Sequence, residues 1–369
     1  MNAALGDRSR LTRLLGFLEM DPGNASLLSE AVNEALAADQ PDTAMDLLDR
    51  FGGTLSPELL NLRALAAIRV GAFEDAVARF GALRAVADNG SVRFNMAWAL
   101  AKLDRWAEAL DLLDDETLAI SPRAPALKVH ALHHLDRLDE ALSLGATLAE
   151  RHPHDERLMG ALAIAALDNE AFEGAATYAA QAGSSHEGVL ARGLLQLEDG
   201  QLAGALDLLK EAVRSNPGNP RAQLGMGVSL LLKGDYREAG EALDLAAEGW
   251  GDDIGSWLAA GWARLAAGEF AASRERLLKA LAIDPNDADV LGALAILDSV
   301  EGRAEDAKAH AAAGLANDDQ SVAVILARSL IEDGPQSANL LGLLKARSGS
   351  AGRTIEETIA RLGITRSKP

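Results

Sequence analysis

Histidine is the residue type in this sequence best suited to bind a metal ion, and several histidines are clustered. The cluster consists of His130, His133 and His134, followed along the chain by His152, His154 and Asp155. Imidazoles four residues apart on a helix, such as those of His130 and His134, can share one metal ion. A stable site also needs a third ligand and groups that orient the imidazoles. We therefore interpret these side chains as solvent-facing or hydrogen-bonded, predict no metal and no cofactor, and keep a metal-responsive protein as an alternative.

Carboxylates are clustered as well, but not in the pattern of a catalytic or calcium site. Acidic clusters lie at Asp111, Asp114, Asp115 and Glu116, at Asp252 and Asp253, and at Asp318 and Asp319, and we interpret them as solvated helix ends. Asp284, Asp287 and Asp289 lack the glycine and the terminal glutamate of a calcium-binding loop. Phosphate-binding, zinc-protease and serine-hydrolase motifs are missing, and without cysteine there is no thiolate nucleophile. We predict that the protein is not an enzyme.

The composition favours helices that pack closely. Of the 369 residues, 49% are hydrophobic but only 4% aromatic, and Ala and Leu dominate. The net charge of −20 repels phosphate backbones, so we expect no nucleic acid as a partner. We see neither a signal peptide nor an apolar run of the roughly 20 residues that span a bilayer, and we expect a cytoplasmic protein. The excess of Arg over Lys, with abundant Ala, is compatible with a GC-rich bacterial genome.

A turn recurs along the chain with a fixed period. Turns that begin at Gly200, Gly234, Gly268 and Gly302 follow one another at intervals of 34 residues. The same frame continues upstream through turns that begin at Gly71, Asp104, Asp136 and Glu170. A period of this length is typical of a helix–turn–helix unit that packs against copies of itself.

Small residues keep a constant register with these turns. Seven positions before the turns lie Ala64, Ala97, Val129, Ala163, Gly193, Gly227, Gly261 and Ala295. Five positions after them lie Ala76, Ala109, Ala141, Ala175, Ala205, Ala239, Ser273 and Ala307. Together with closing prolines at Pro153, Pro217 and Pro285, this pattern resembles the tetratricopeptide repeat family. The resemblance implies an all-α, right-handed solenoid of stacked repeats, and we expect a scaffold of the bacterial type.

The repeat frame divides the chain into four predicted regions. Repeats begin near residues 25, 57, 90, 122, 156, 186, 220, 254 and 288. We expect an N-terminal helix or partial repeat as a cap over residues 1–24, about five irregular repeats over 25–185, four regular repeats over 186–321, and capping helices with a tail over 322–369. The closing helices are expected at 322–331, 337–347 and 354–362. Because the interval from 156 to 186 is the shortest, we expect a bend or hinge there.

The family resemblance implies that the first helix of each repeat lines the concave side of the solenoid. On each first helix, the residue after the small one shares a face with the residues four before and three after it. We predict a partner-binding groove of Phe94, Asn95, Trp98, His130, Ile164, Leu190, Leu194, Leu224, Val228, Leu258 and Trp262. Trp98, Trp262 and Phe94 are the expected anchors, since Trp is enriched at binding hot spots. The alternative is that these side chains are core along the inner curve.

The function predicted from the sequence is that of a non-catalytic scaffold. An apolar groove in an acidic protein suits an amphipathic segment of a partner protein that carries Lys or Arg on its other side. Two alternatives stay open: a regulatory or substrate-presenting subunit of a separate enzyme, and a self-assembling array of this chain. Of the other tryptophans, we expect Trp106 and Trp257 in the core and Trp250 in a loop.

Overall fold

The protein is all-α, as the sequence predicts. The structure, a computed structural model, describes residues 2–53 and 55–333. Within these ranges there are 21 helices and no strand, arranged as stacked helical repeats. The described residues form two compact units, one up to Pro153 and one from His154 onward. Over the same ranges, no helix combines the length and the apolar character needed to cross a membrane.

The first unit begins with a long helix and continues with shorter ones. Its helices are α1 (Asn2–Met20), α2 (Ala25–Ala37), α3 (Pro41–Phe51), α4 (Pro57–Arg69), α5 (Phe73–Ala87), α6 (Gly90–Lys102), α7 (Trp106–Asp111), α8 (Asp115–Ile120), α9 (Ala124–His134) and α10 (Leu138–Arg151). Helix α1 buries Leu11, Leu14 and Leu18 in a core shared with the helices that follow.

The second unit is a regular alternation of helices. They are α11 (Glu156–Asp168), α12 (Phe172–Gln181), α13 (His186–Glu198), α14 (Leu202–Ser215), α15 (Pro220–Lys233), α16 (Tyr236–Trp250), α17 (Ile254–Ala266), α18 (Phe270–Ile283), α19 (Ala288–Val300), α20 (Ala304–Asn317) and α21 (Val322–Asp333). The closing helix expected to begin at residue 322 is therefore α21. The two further helices expected at 337–347 and 354–362 lie outside the described residues.

First and second helices of the repeats alternate along each unit. The first helices are α2, α4, α6 and α9 in the first unit and α11, α13, α15, α17 and α19 in the second. They begin at the repeat starts read from the sequence, except that α9 begins at Ala124 rather than at residue 122. The boundaries at residues 24, 185 and 321 stay predictions.

The first helices begin at side-chain caps, whereas second helices begin at turns. Eight first helices have an Asn, Ser or Asp whose side chain accepts a hydrogen bond from a backbone N–H of the first turn: Asn24, Ser56, Asn89, Asp155, Ser185, Asn219, Asp253 and Asp287. Such a cap satisfies a donor that the helix itself leaves unpaired. The second helices of the nine repeats begin without a side-chain cap; the additional helix α8 is capped by Asp114.

The turns of the repeat frame share one backbone conformation. All eight residues at which the sequence places a turn have positive φ, including the non-glycine residues Asp104 (61°), Asp136 (57°) and Glu170 (56°). This left-handed conformation reverses the chain between the two helices of a repeat. Asp39, with φ 55°, extends the frame one repeat toward the N-terminus.

The small residues lie where helices approach most closely. Every residue of both small-residue series is buried. A Cβ built on Gly261 would lie 2.6 Å from a Cδ of Leu277, which shows how little room the neighbouring second helix leaves. Ser273, a departure from Ala in this series, donates its hydroxyl to the backbone oxygen of Gly261 at 2.8 Å.

The third repeat departs from the helix–turn–helix pattern. Its second helix is broken into α7 and α8, because Asp114 caps α8 and its carboxylate accepts hydrogen bonds from both the N–H and the hydroxyl of Thr117. Arg93 of α6 forms ion pairs with Asp88, Asp114 and Glu116 and fixes this broken segment to the first helix.

The short repeat between residues 156 and 186 brings two first helices into direct contact. Helix α12 has only 10 residues. A Cβ on Gly160 of α11 would lie 2.9 Å from the Cβ of Glu187 on α13. The bend or hinge expected here stays a prediction.

Candidate functional site

The predicted groove residues of the first unit are accessible. Phe94, Asn95 and Trp98 of α6 and His130 of α9 are all half-buried. Leu65 of α4 is equivalent to Trp98, and Ile68 lies three residues after Leu65 on the same helix. Both are also half-buried and pack against the same core. We call the set Leu65, Ile68, Phe94, Trp98 and His130 the first-helix stripe.

Trp98 is held in place by its neighbours. The ring of Phe73 meets it edge-on, with ring centroids 5.8 Å apart and an interplanar angle of 72°. The Lys102 ammonium lies 5.3 Å from the Trp98 ring centroid, within the range of a cation–π contact. Trp98 therefore presents a partly exposed and oriented aromatic surface, which is the property of a binding anchor.

The clustered histidines form aromatic contacts. The ring of His134 stacks on Trp106 with centroids 4.0 Å apart and an interplanar angle of 4°, and His133 lies 5.6 Å from His134. Trp106 donates its indole N–H to a carboxylate oxygen of Asp104 at 2.5 Å. Among the described residues, no three His, Asp or Glu side chains are grouped so that they could hold a metal ion. Trp106, predicted in the core, is half-buried.

The predicted groove residues of the second unit lie in its core. Their exposed fractions are 7% for Ile164, 2% for Leu190, 7% for Leu224, 2% for Val228, 2% for Leu258 and 7% for Trp262. Leu194 is half-buried and packs against the same core. A partner that approached this surface would contact few atoms of the six buried side chains. These six side chains pack in the core of the unit, and their role in partner binding stays a prediction.

An ion pair also crosses this part of the second unit. Both guanidinium nitrogens of Arg221 on α15 bind the Asp168 carboxylate of α11, at 2.6 and 2.8 Å. The ion pair therefore joins α11 directly to α15, although α13 lies between them in the stack. The bridge was not predicted, because a contact between repeats that are not neighbours leaves no periodic signal in the sequence.

The remaining tryptophans define the core further. Trp257 is 5% exposed, as expected for a core residue, and its indole N–H donates to the Gly251 oxygen at 2.8 Å. The position expected for Trp250 is wrong: it is the last residue of α16 rather than a loop residue, and it packs against the core of the second unit.

Most of the acidic clusters contribute to helix ends. Asp114, Asp253 and Asp287 cap α8, α17 and α19. The backbone N–H and the hydroxyl of Thr117 lower the pKa of Asp114, because they stabilise its ionised form. Asp289 differs: burial raises its pKa, and its carboxylate accepts the Ser321 hydroxyl at 2.5 Å.

Comparison with known proteins supports this repeat pattern. Models of the tetratricopeptide repeat match residues 61–125 in the first unit and residues 196–253 in the second. Neither model describes a catalytic domain. No curated protein sequence matches the chain.

Several solved structures are similar to this chain at low sequence identity. A monomeric mutant of IFIT1 with m7Gppp-AAAA has 14% identity and a TM-score of 0.53, over 96% of this chain and 94% of that one. The Cut9-Hcn1 hetero-tetramer of the APC/C has 13% identity and a TM-score of 0.49, over 84% and 83% of the two chains. YrrB, a TPR protein with an unusual peptide-binding site, has 16% identity and a TM-score of 0.44, over 50% and 98%. Together with the helical pattern, the matches indicate tetratricopeptide-like repeats at residues 61–125 and 196–253, one segment in each of the two compact units.

Proposed function

We propose that the protein is a non-catalytic scaffold that binds a segment of another protein on the first-helix stripe of α4, α6 and α9. Tetratricopeptide repeat proteins generally mediate protein–protein interactions, and the two matched segments support this role for the chain. Fold alone does not select a surface, so the choice of the stripe rests on its own geometry.

The observation that carries the proposal is the difference in exposure between equivalent positions. Trp98 and Trp262 occupy the same position in their repeats, yet Trp98 is half-buried whereas Trp262 is 7% exposed. Phe94 lies one helical turn before Trp98 and is also half-buried. Two accessible aromatic rings on one helix face provide the apolar anchor that a partner helix or extended segment needs.

The stripe is ordered before a partner binds. Helix α6 begins at its Asn89 cap, and Arg93 ties it to the broken second helix. Trp98 is fixed between Phe73 and Lys102. Because these side chains lose little freedom on binding, more of the apolar area buried by the partner is converted into affinity.

Carboxylates at the turns beyond α6 and α9 favour a partner segment with basic side chains. Helices α6 and α9 carry the cations Arg93, Lys102 and Lys128 and no Asp or Glu, whereas Asp104 and Asp136 lie exposed at the turns that follow them. We propose that apolar side chains of the partner contact the stripe and that Lys or Arg beside them reach these turns. The ligand named with IFIT1 is not carried over to this chain, because a net charge of −20 opposes a phosphate backbone.

A peptide-display selection on the intact protein tests the proposal. Selected peptides are expected to share apolar residues flanked by Lys or Arg, and to bind the Phe94→Ala/Trp98→Ala variant at least about tenfold more weakly, the loss typical of a hot spot. Leu245→Ala/Leu278→Ala is the matched control, because it removes two side chains that are 53% and 48% exposed on second helices. Circular dichroism checks that all variants are equally helical. Equal binding to the stripe variant and the intact protein would disprove this site.

A further inference from the structure

One histidine of the second unit lies at the junction of three helices and is not part of the cluster described above. His186 is the first residue of α13 and is half-buried. Its Nδ1 lies 2.7 Å from the Ser215 hydroxyl at the end of α14. Its Nε2 lies 2.8 Å from the Asn219 amide nitrogen, and Asn219 caps α15.

The cap fixes which ring nitrogen carries the proton. The side-chain oxygen of Asn219 accepts the Ala222 N–H at 3.1 Å, so the amide NH₂ of Asn219 must point toward His186. Since an NH₂ group only donates, Nε2 of His186 must be an unprotonated acceptor. Nδ1 then carries the hydrogen and donates to the Ser215 hydroxyl, which in turn donates to the Ala212 oxygen at 2.9 Å.

This network of hydrogen bonds is compatible only with a neutral imidazole at His186. Protonation would place an N–H on Nε2 directly opposite the NH₂ of Asn219, so that two donors face each other. If Asn219 rotated to present its oxygen instead, the cap of α15 would be lost. A proton on His186 therefore breaks either the contact between α13 and α15 or the start of α15.

We propose that His186 is a pH-sensitive latch that joins α13, α14 and α15 when its imidazole is neutral and releases them when it is protonated. The inference is independent of the binding site on the first unit. Burial lowers the pKa of His186 below its ordinary value of 6.5, and the Glu187 charge acts against this shift.

Several charged groups lie on the elements around His186. Glu187 follows His186 on α13, and Arg214 precedes Ser215 on α14. On α15, Arg221 is bound by Asp168 of α11. The Glu156 carboxylate of α11 lies over Gly183, and α12 ends at the uncharged Gln181.

Stability should therefore depend on pH with a defined sign. The folded state binds a proton at His186 more weakly than the unfolded state. The free energy of unfolding is therefore not reduced by this group well above pH 6.5. Stability is lost as the pH falls below that value.

Replacement of Asn219 by Asp tests the latch directly. Aspartate also caps helices well, but its second oxygen would accept a hydrogen bond from protonated Nε2. NMR of the imidazole nitrogens in the full chain should show the Nδ1–H tautomer at high pH and a pKa below 6.5 in the wild type. In Asn219→Asp the pKa of His186 should rise above that of the wild type, and the fall in urea midpoint on acidification should shrink or reverse.

Two histidine variants serve as controls. His186→Gln should reduce the fall in urea midpoint on acidification, whereas His154→Gln, at an exposed histidine, should retain it. An Nε2–H tautomer in the wild type, or a pKa unchanged by Asn219→Asp, would overturn the proposal.

Discussion

Glu170 holds a backbone conformation that suits glycine far better than glutamate. Its φ is 56°, and the equivalent positions of the following repeats are Gly200, Gly234, Gly268 and Gly302. In the left-handed region the Cβ of an L-residue crowds the backbone, at a cost of roughly 1–2 kcal/mol. Glu170 therefore strains the turn between α11 and α12.

Glu170→Gly is expected to stabilise the second unit by about 1 kcal/mol, since the relief of strain exceeds the added freedom of the unfolded chain. Urea unfolding monitored by circular dichroism measures this change in the free energy of unfolding. Glu170→Ala is the control, because it removes the side chain but keeps the Cβ, and it should give little gain. An equal gain in both variants would mean that the Glu side chain, and not the backbone, is the source of the strain.

The sequence predicts these turn residues even when they are not glycine, because they lie at a constant distance from the small residues of each repeat. It does not distinguish Trp98 from Trp262, which occupy the same register. Exposure at that position depends on what the adjacent helices place over the ring, and repeat periodicity carries no information about it. The sequence therefore predicts which helix face the groove residues share but not how accessible each of them is.

Two glycines inside helices differ in how much space their neighbours leave for a larger side chain. A Cβ on Gly227 of α15 would lie 2.6 Å from Cγ of Leu243 on α16, whereas a Cβ on Gly81 of α5 would meet nothing within 4 Å. Both glycines lie inside helices, so the gain in helix propensity on replacement by Ala is similar, roughly 1 kcal/mol.

Gly227→Ala is expected to destabilise the protein, because overpacking costs about 1–3 kcal/mol and opposes the smaller propensity gain. Gly81→Ala should instead stabilise it by about 0.5–1 kcal/mol. Thermal and urea unfolding of both variants measure the difference. A gain in stability for Gly227→Ala would show that α15 and α16 are not packed as closely as described.

Asp289 at the start of α19 gives a prediction about pH. Burial and the nearby charges of Asp287 and Asp318 raise its pKa above the ordinary 3.8, so the folded state binds this proton more tightly than the unfolded state. Stability therefore falls as the pH rises from about the unfolded pKa through the folded one.

Asp289→Asn should be more stable than the wild type at pH 7, and the advantage should disappear as the pH approaches 3.8. The amide oxygen of Asn can still accept the Ser321 hydroxyl, so the variant removes the charge and keeps the hydrogen bond. Urea unfolding at several pH values tests this, and lower stability of the variant at pH 7 would contradict it.

At the scale of elements, the sequence predicts the starts of most helices but not their interruptions. The break between α7 and α8 follows from the Asp114 cap, which competes locally with continuation of α7. The caps themselves have a readable signal: an Asn, Ser or Asp immediately before eight of the nine first helices. Contacts such as that of Arg221 with Asp168 arise only after stacking and have no comparable signal.

For the whole molecule, the net charge of −20 has a kinetic consequence. A protein with this charge attracts basic segments over distances comparable with the Debye length and so raises the association rate. Salt shortens that range while leaving apolar contacts on the stripe almost unchanged.

Association of a selected basic–apolar peptide should therefore slow markedly when the ionic strength rises from about 0.05 to 0.5 M, while dissociation changes little. Stopped-flow Trp fluorescence can follow both rates. Asp104→Asn/Asp136→Asn should reduce the salt dependence, since it removes the two carboxylates proposed to meet the basic side chains and keeps side chains of the same size. A salt dependence that is unchanged in this variant would place the basic side of the peptide elsewhere.

Hydrogen–deuterium exchange of the intact protein, with and without a selected peptide, locates the bound segment most directly. If the partner binds the first-helix stripe, protection increases in α4, α6 and α9, with the largest increase in the Phe94–Trp98 region. Protection confined to the second helices or to α13–α19 would contradict the assignment of the binding site to the first-helix stripe.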